Sequence, residues 1–130
     1  MARIALGSSG DLVIRPPNDL PEVYVCTDPV DFRKQINGLA ELVEGGLELD
    51  PFSAKIFAFT NRRRDRCKLL VWERNGFVLW QKRLERERFH WPRVGESTLV
   101  LTGQQLNWLL DGFDLARWRP HQALTYESIF

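Results

Sequence analysis

The sequence is poor in the residues that most often carry chemistry. Of its 130 residues two are cysteine, two are histidine and one is methionine. A structural zinc needs four nitrogen or sulfur ligands at short spacings, and Cys26, Cys67, His90 and His121 are too scattered to supply that pattern. The cysteines sit in the apolar runs "VYVCT" and "CKLLVW", where a thiol behaves as a small hydrophobe. They read as buried free thiols. No apolar run approaches the ~20 residues of a membrane span, and "MARIALGSSGDLVIRPP" lacks the apolar core and cleavage pattern of a signal peptide. A soluble cytoplasmic protein is expected. The chain also has no glycine-rich phosphate loop, internal repeat or low-complexity linker, and no nucleophile in a recognisable setting beside His90. Asp28 and Asp31 could serve a metal-dependent nuclease, but capping a helix accounts for both. No cofactor, metal or catalytic residue is expected, and the protein reads as a non-enzyme.

What remains is the composition of one folded domain: 44% hydrophobic and 12% aromatic, enough to bury a core at this length. Net charge is +1, but it is unevenly spread. From Arg62 to Arg93 there are eleven Lys/Arg and four acids, 11 − 4 = +7, which leaves 7 − 13 = −6 for the rest. A basic middle in an acidic frame points to a polyanion on one side and a basic partner on the other.

Local signals give an α+β order. Val23 to Thr27 reads as a short strand. Asp28 as N-cap and Pro29 at the first helical position open a helix over 29–46. Its face would be Phe32, Ile36, Leu39, Ala40, Val43 and Leu47, with Gly45–Gly46 as the stop. Three strand-like runs follow at 55–60, 67–73 and 77–84, joined by "NRRRD" and "RNG". Asn75-Gly76 is a strong two-residue hairpin signal, because a type I′ turn needs positive φ at both central positions. An extended run through to Trp91 would be too long for one strand, so a break is expected near Glu85–Glu87. "STLVLT" supplies another strand, and Thr102 with Gln105 forms a capping box opening a second helix. That helix would face Leu106, Leu109, Leu110 and Phe113 to the core and end at Gly112. The expected fold is an antiparallel β-meander sheet packed by two main helices, both on one face. Residues 1–20 read as an extension, 21–120 as the domain and 121–130 as a tail.

Four arginines in six positions, "NRRRDR" at 61–66, are the feature that asks for a function. On a hairpin connection Arg62, Arg63, Arg64 and Arg66 would project from the sheet end. There a planar, permanently charged fork suits phosphate oxygens. Lys68, Arg74, Lys82, Arg83, Arg86 and Arg88 would extend the footprint. The bland alternative is a solvated turn with strand ends salt-bridged through Asp65, Glu73, Glu85 and Glu87. The charge excess favours DNA. Of the interleaved aromatics, Trp72 and Trp80 read as packing, whereas Phe89 and Trp91 stay open to base stacking.

Several stretches together, "TDPVDFRKQINGLAELV", "DPFSAKIFAFTNRRRDRCKLLVWERNGFVLWQKRLERERFHWP" and "LTGQQLNWLLDGFD", closely resemble the Orf2-like (TnpB) accessory proteins of the insertion-sequence-66 class of bacterial mobile elements. The resemblance runs from about Pro21 to Arg119. Asp50-Pro51-Phe52, Asn61 to Asp65, Lys82 to Glu85, Arg88-Phe89 and Trp91-Pro92 are its strongest marks. It implies an accessory role in transposition, with strand transfer assigned to a separate transposase, and it hands over no catalytic residue. It also implies glycine where this chain has Ala54 and Glu87, and therefore tight turns there. The partners expected are DNA, the element-encoded transposase and other accessory proteins. A protein–protein adaptor that ignores DNA is the alternative.

Overall fold

The computed structural model describes residues 22–93 and 95–115. The extension, the tail and His121 lie outside them. The elements in chain order are β1 (Val23–Cys26), α1 (Ile36–Glu41) running into a π-helical turn at Leu42–Gly46, β2 (Ile56–Thr60), β3 (Arg66–Glu73), β4 (Gly76–Arg83), β5 (Thr98–Leu101) and α2 (Gly103–Leu110). No described helix is long and apolar enough to cross a membrane.

The fold is α+β, built on a five-stranded mixed sheet of order β4-β3-β2-β1-β5. The expected meander is β2–β3–β4, paired antiparallel throughout. β1 lies parallel to β2, however, and antiparallel to β5. The chain therefore leaves β1, crosses through α1 and returns alongside it, since parallel neighbours cannot be joined by a tight turn.

The helices do not share a face. One side of the sheet presents Val23, Val25, Ile56, Ala58, Cys67, Leu69 and Val71 to Leu106, Leu109 and Leu110 of α2, with Phe89 and Trp91 in the same cluster. The other side presents Cys26, Phe57, Phe59 and Leu70 to Leu39 and Val43 of the α1 arm. Strand residues alternate between faces, so β2, buried at all five positions, feeds both cores. Burying side chains such as Phe57 and Phe59 contributes about 1.5–3 kcal/mol each. The 84–97 connection spans the sheet from β4 to β5. Phe89 and Trp91 anchor it as core residues, Trp91 donating Nε1–H to the Cys26 carbonyl at 2.8 Å. They are closed to base stacking.

Several local expectations are met. Both cysteines are buried free thiols, and burial pushes the Cys67 thiol far above its ordinary pKa, so it has little thiolate character. The Thr102–Gln105 capping box forms with both bonds in place. α2 ends in a Schellman motif: Gly112 at φ +97° donates to Leu109 and Phe113 donates to Trp108, each at 3.0 Å. That turn swings Phe113 away from the expected core face, and it is 44% exposed. β4 stops at Arg83, and the break at 85–86 follows.

Two other expectations need correction. The first helix begins at Ile36, not Pro29, and Asp28 does not cap it. Asp31 instead accepts the Arg33 backbone N–H on its own carboxylate at 2.9 Å, a local bond that competes with helix. The β3–β4 turn is shifted by one residue. Glu73 pairs with Gly76, which leaves Arg74–Asn75 as the loop. Arg74 takes the left-handed conformation (φ +57°), and Asn75 N–H closes onto the Glu73 carbonyl at 2.6 Å.

Candidate nucleic-acid interface

The arginine loop is a built structure. Arg64 sits at φ +60° and donates its backbone N–H to the Asn61 carbonyl at 3.0 Å. The Asn61 side chain spans the loop, its Nδ2 donating to Asp65 Oδ1 at 2.7 Å and its Oδ1 accepting from Arg66 N–H at 3.1 Å. Thr60 Oγ1 donates to the Arg66 carbonyl at 2.9 Å. From the following segment Leu84 N–H donates to Asp65 O at 2.8 Å, and Phe89 N–H donates to Arg64 O at 2.7 Å. These last two bonds bring 84–89, and with it exposed Arg86 and Arg88, against the loop.

Among the described residues the loop arginines are not salt-bridged. Asp65 is engaged by Asn61, whose hydrogen bond foremost, with the Arg63 and Arg66 charges behind it, holds the carboxyl below its usual range. Arg83 pairs with Glu85 at 3.1 Å at the surface, a contact of small energetic weight. Among the described residues Arg62, Arg63 and Arg66 have no carboxylate within ion-pair distance. Arg62 and Arg63 are exposed. Arg66 stands directly opposite Arg83 across the β3–β4 ladder.

Beside the loop is a cleft of about 520 Å³, lined on one wall by Asn61, Arg62, Arg63 and Arg66 and on the other by Pro29 to Arg33. The second wall hangs from the end of β2 through Val30 N–H to Thr60 O at 2.9 Å. Four arginines and one carboxylate therefore meet there. That carboxylate, Asp31, accepts from Arg33 Nε at 3.0 Å and Nη2 at 2.7 Å, and Arg33's hydrogen bonds bring its pKa down to about 2. A helix running from Pro29, as the sequence suggests, would leave Arg33 off the apolar face and away from the loop. The Asp31-Xaa-Arg33 spacing was the local signal that the backbone would turn there instead.

Not every predicted cation reaches this surface. Lys68 is 1% exposed. It lies on the sheet face covered by the α1 arm, and its Nζ donates to the carbonyls of Phe32 at 3.0 Å and Lys34 at 2.8 Å, 4.7 Å from the Phe32 ring centroid. Burial, with the Arg66 charge adding to it, lowers its pKa. Lys68 holds the cleft's far wall and has no access to a phosphate. Lys82 points to the opposite sheet face and donates Nζ–H to the Leu110 carbonyl at 2.9 Å, a favourable place for a cation at a helix C-terminus. Arg74 is at the other end of eight-residue β3, roughly 25 Å from Arg66. The structure gathers Arg62, Arg63, Arg66, Arg83, Arg86 and Arg88, adds Arg33, and separates Lys68, Lys82 and Arg74. At Arg74's end of the hairpin, Phe52, Trp72 and Phe77 form an aromatic group with centroids 5.0–5.4 Å apart, Phe52 being 55% exposed.

Fold and site together define a mixed-sheet α+β domain carrying an arginine-lined surface cleft. The chain belongs to the IS66 Orf2-like protein family, whose sequence model matches residues 21–120. With the family comes the coarse assignment, a transposition accessory protein. Two similar proteins come from Sinorhizobium fredii (strain NBRC 101917 / NGR234). Uncharacterized protein y4jC is 37% identical over 95 residues, covering 73% of this chain and 81% of its own. Uncharacterized protein y4hO is 31% identical over 109 residues, covering 81% and 95%. No solved structure matches the chain.

Proposed function

We propose that this protein binds DNA phosphates through the arginine loop and its neighbours, and in doing so helps a separate, element-encoded transposase to assemble on the element's ends. The observation that carries this reading is Arg62, Arg63 and Arg66 held on a hydrogen-bonded loop without salt-bridge partners among the described residues. Arg86 and Arg88 flank them. A folded chain normally neutralises such a group or leaves it to a polyanion, since like charges in one patch repel. Phosphate contacts of this kind give affinity without sequence readout and lose it as salt rises. The role is non-catalytic, and the protein works in the cytoplasm beside the element's other products.

The test is fluorescence anisotropy with element-end duplex and an unrelated duplex, each at low and physiological salt. Salt-sensitive binding to both, weakened when Arg62, Arg63 and Arg66 become alanine, is expected. A preference for the element end would add sequence readout. Absence of binding to either duplex at low salt would remove the DNA reading.

A second reading has its own observation. Phe52 stands exposed at the far end of the hairpin, against half-buried Trp72 and Phe77, and exposed aromatic residues are favoured where proteins meet. An adaptor for the transposase or another accessory subunit would use that end. Pull-down of the transposase by wild type, but not by Phe52→Ala, with DNA affinity unchanged, would support it.

A further inference from the structure

The cleft has an apolar wall as well as a cationic one. Pro29, Val30 and Phe32 line the side that faces Arg62, Arg63 and Arg66. A solvated patch that only steadies a duplex backbone needs no concavity. Here the wall is fixed in place, by Val30 N–H on Thr60 O and by the buried Lys68 ammonium on the Phe32 and Lys34 carbonyls. Holding an ammonium in the interior lowers its pKa, a cost that the fold accepts where it orders the 32–34 backbone.

Resting on the DNA-binding reading, we propose that this cleft receives a single unpaired nucleotide of a DNA strand. The base lies against Val30 and Phe32, and the adjoining phosphate is held by Arg62, Arg63 and Arg66. A volume of about 520 Å³ is on the scale of small-ligand pockets, which run to ~300–1,000 Å³. In a duplex the base faces are stacked on each other, so paired DNA can use the rim but not the wall. An aromatic ring beside a cationic track is how proteins hold single strands, and it tolerates any base. The polar group best placed to read a base edge, the Asn61 amide, already bonds to Asp65 and the Arg66 backbone. The cleft therefore selects unpaired over paired DNA without selecting sequence.

Anisotropy should compare a blunt duplex, the same duplex with a short 3′ or 5′ overhang, and the single strand, all at one salt concentration. Overhang or single strand is expected to bind about tenfold tighter than blunt duplex, as one stacked base supplies. Phe32→Leu should erase that preference and leave blunt-duplex affinity in place. Should Phe32→Leu not fold, photocrosslinking wild-type protein to a strand carrying 5-bromodeoxyuridine decides, with the adduct expected within residues 29–33. Equal affinity for all three DNAs, a preference that survives Phe32→Leu, or crosslinks confined elsewhere would overturn the inference and leave phosphate binding standing. No binding to any DNA would remove both.

Discussion

Arg66 and Arg83 face each other across the β3–β4 ladder, two guanidinium groups at directly opposed positions on one sheet face. Like charges so placed destabilise a sheet by about 0.2–1 kcal/mol. The neighbouring Arg62 and Arg63 add to the same field. Arg83→Gln should therefore weaken DNA binding several-fold while changing unfolding free energy by less than ~1 kcal/mol, because its bond to Glu85 is a surface pair. Paired titrations, one with DNA and one with urea, check both halves.

Replacing Arg62, Arg63 and Arg66 together with alanine should flatten the plot of log affinity against log salt. Each lost phosphate contact removes roughly 0.9 from the slope on duplex DNA, so three remove about 2.7. Far-UV circular dichroism should be unchanged, since the loop is held by Asn61, Thr60 and backbone bonds and not by these side chains.

Asp31 is the carboxylate inside the cationic cleft, and it engages Arg33 chiefly through Oδ2, with Oδ1 accepting from Nε at 3.2 Å. Asp31→Asn should raise DNA affinity a few-fold by freeing Arg33 and removing a like charge from the phosphate site. The folded pKa of about 2 lies below the ordinary 3.8. The pair's contribution is therefore complete above pH 3.8 and is lost as pH falls through 2. Between pH 5 and 8 the gain from Asp31→Asn should be independent of pH, which anisotropy at three pH values tests.

Lys68→Met keeps the alkyl stem but orphans the Phe32 and Lys34 carbonyls. A cost of about 1–3 kcal/mol is expected in chemical unfolding. Hydrogen exchange should quicken across 29–35 more than across β3, because the lysine ties that arm to the sheet. A fully surface-exposed lysine would show neither effect.

Ala54 is at φ +65°, where the methyl group crowds the backbone. Ala54→Gly should raise stability by about 0.5–1 kcal/mol net of the extra freedom of glycine in the unfolded chain. The turn expected at Ala54 from family resemblance is therefore present. Glu87 carries no positive φ, so glycine there should bring no gain.

How much was legible follows the range of the forces involved. The capping box at Thr102, the strand runs and the break after Arg83 depend on residues a few positions apart, and the sequence by itself determined them. It also determined that "NRRRD" would be a connection between two strands, because one apolar run stops there and another begins beyond it. The alternation in β3 already put Arg66, Lys68, Leu70 and Trp72 on one face. Which helix would cover that face depends on pairing between distant strands, and only the tertiary structure decided it. Inserting β1 beside β2 sent the two helices to opposite sides of the sheet. The α1 arm then closed over Lys68 and turned it from a surface cation into an internal anchor. The same arm, kept from helix by Asp31, brought Arg33 to the arginine loop. A charge counted in a sequence becomes a site only where long-range packing leaves it uncovered.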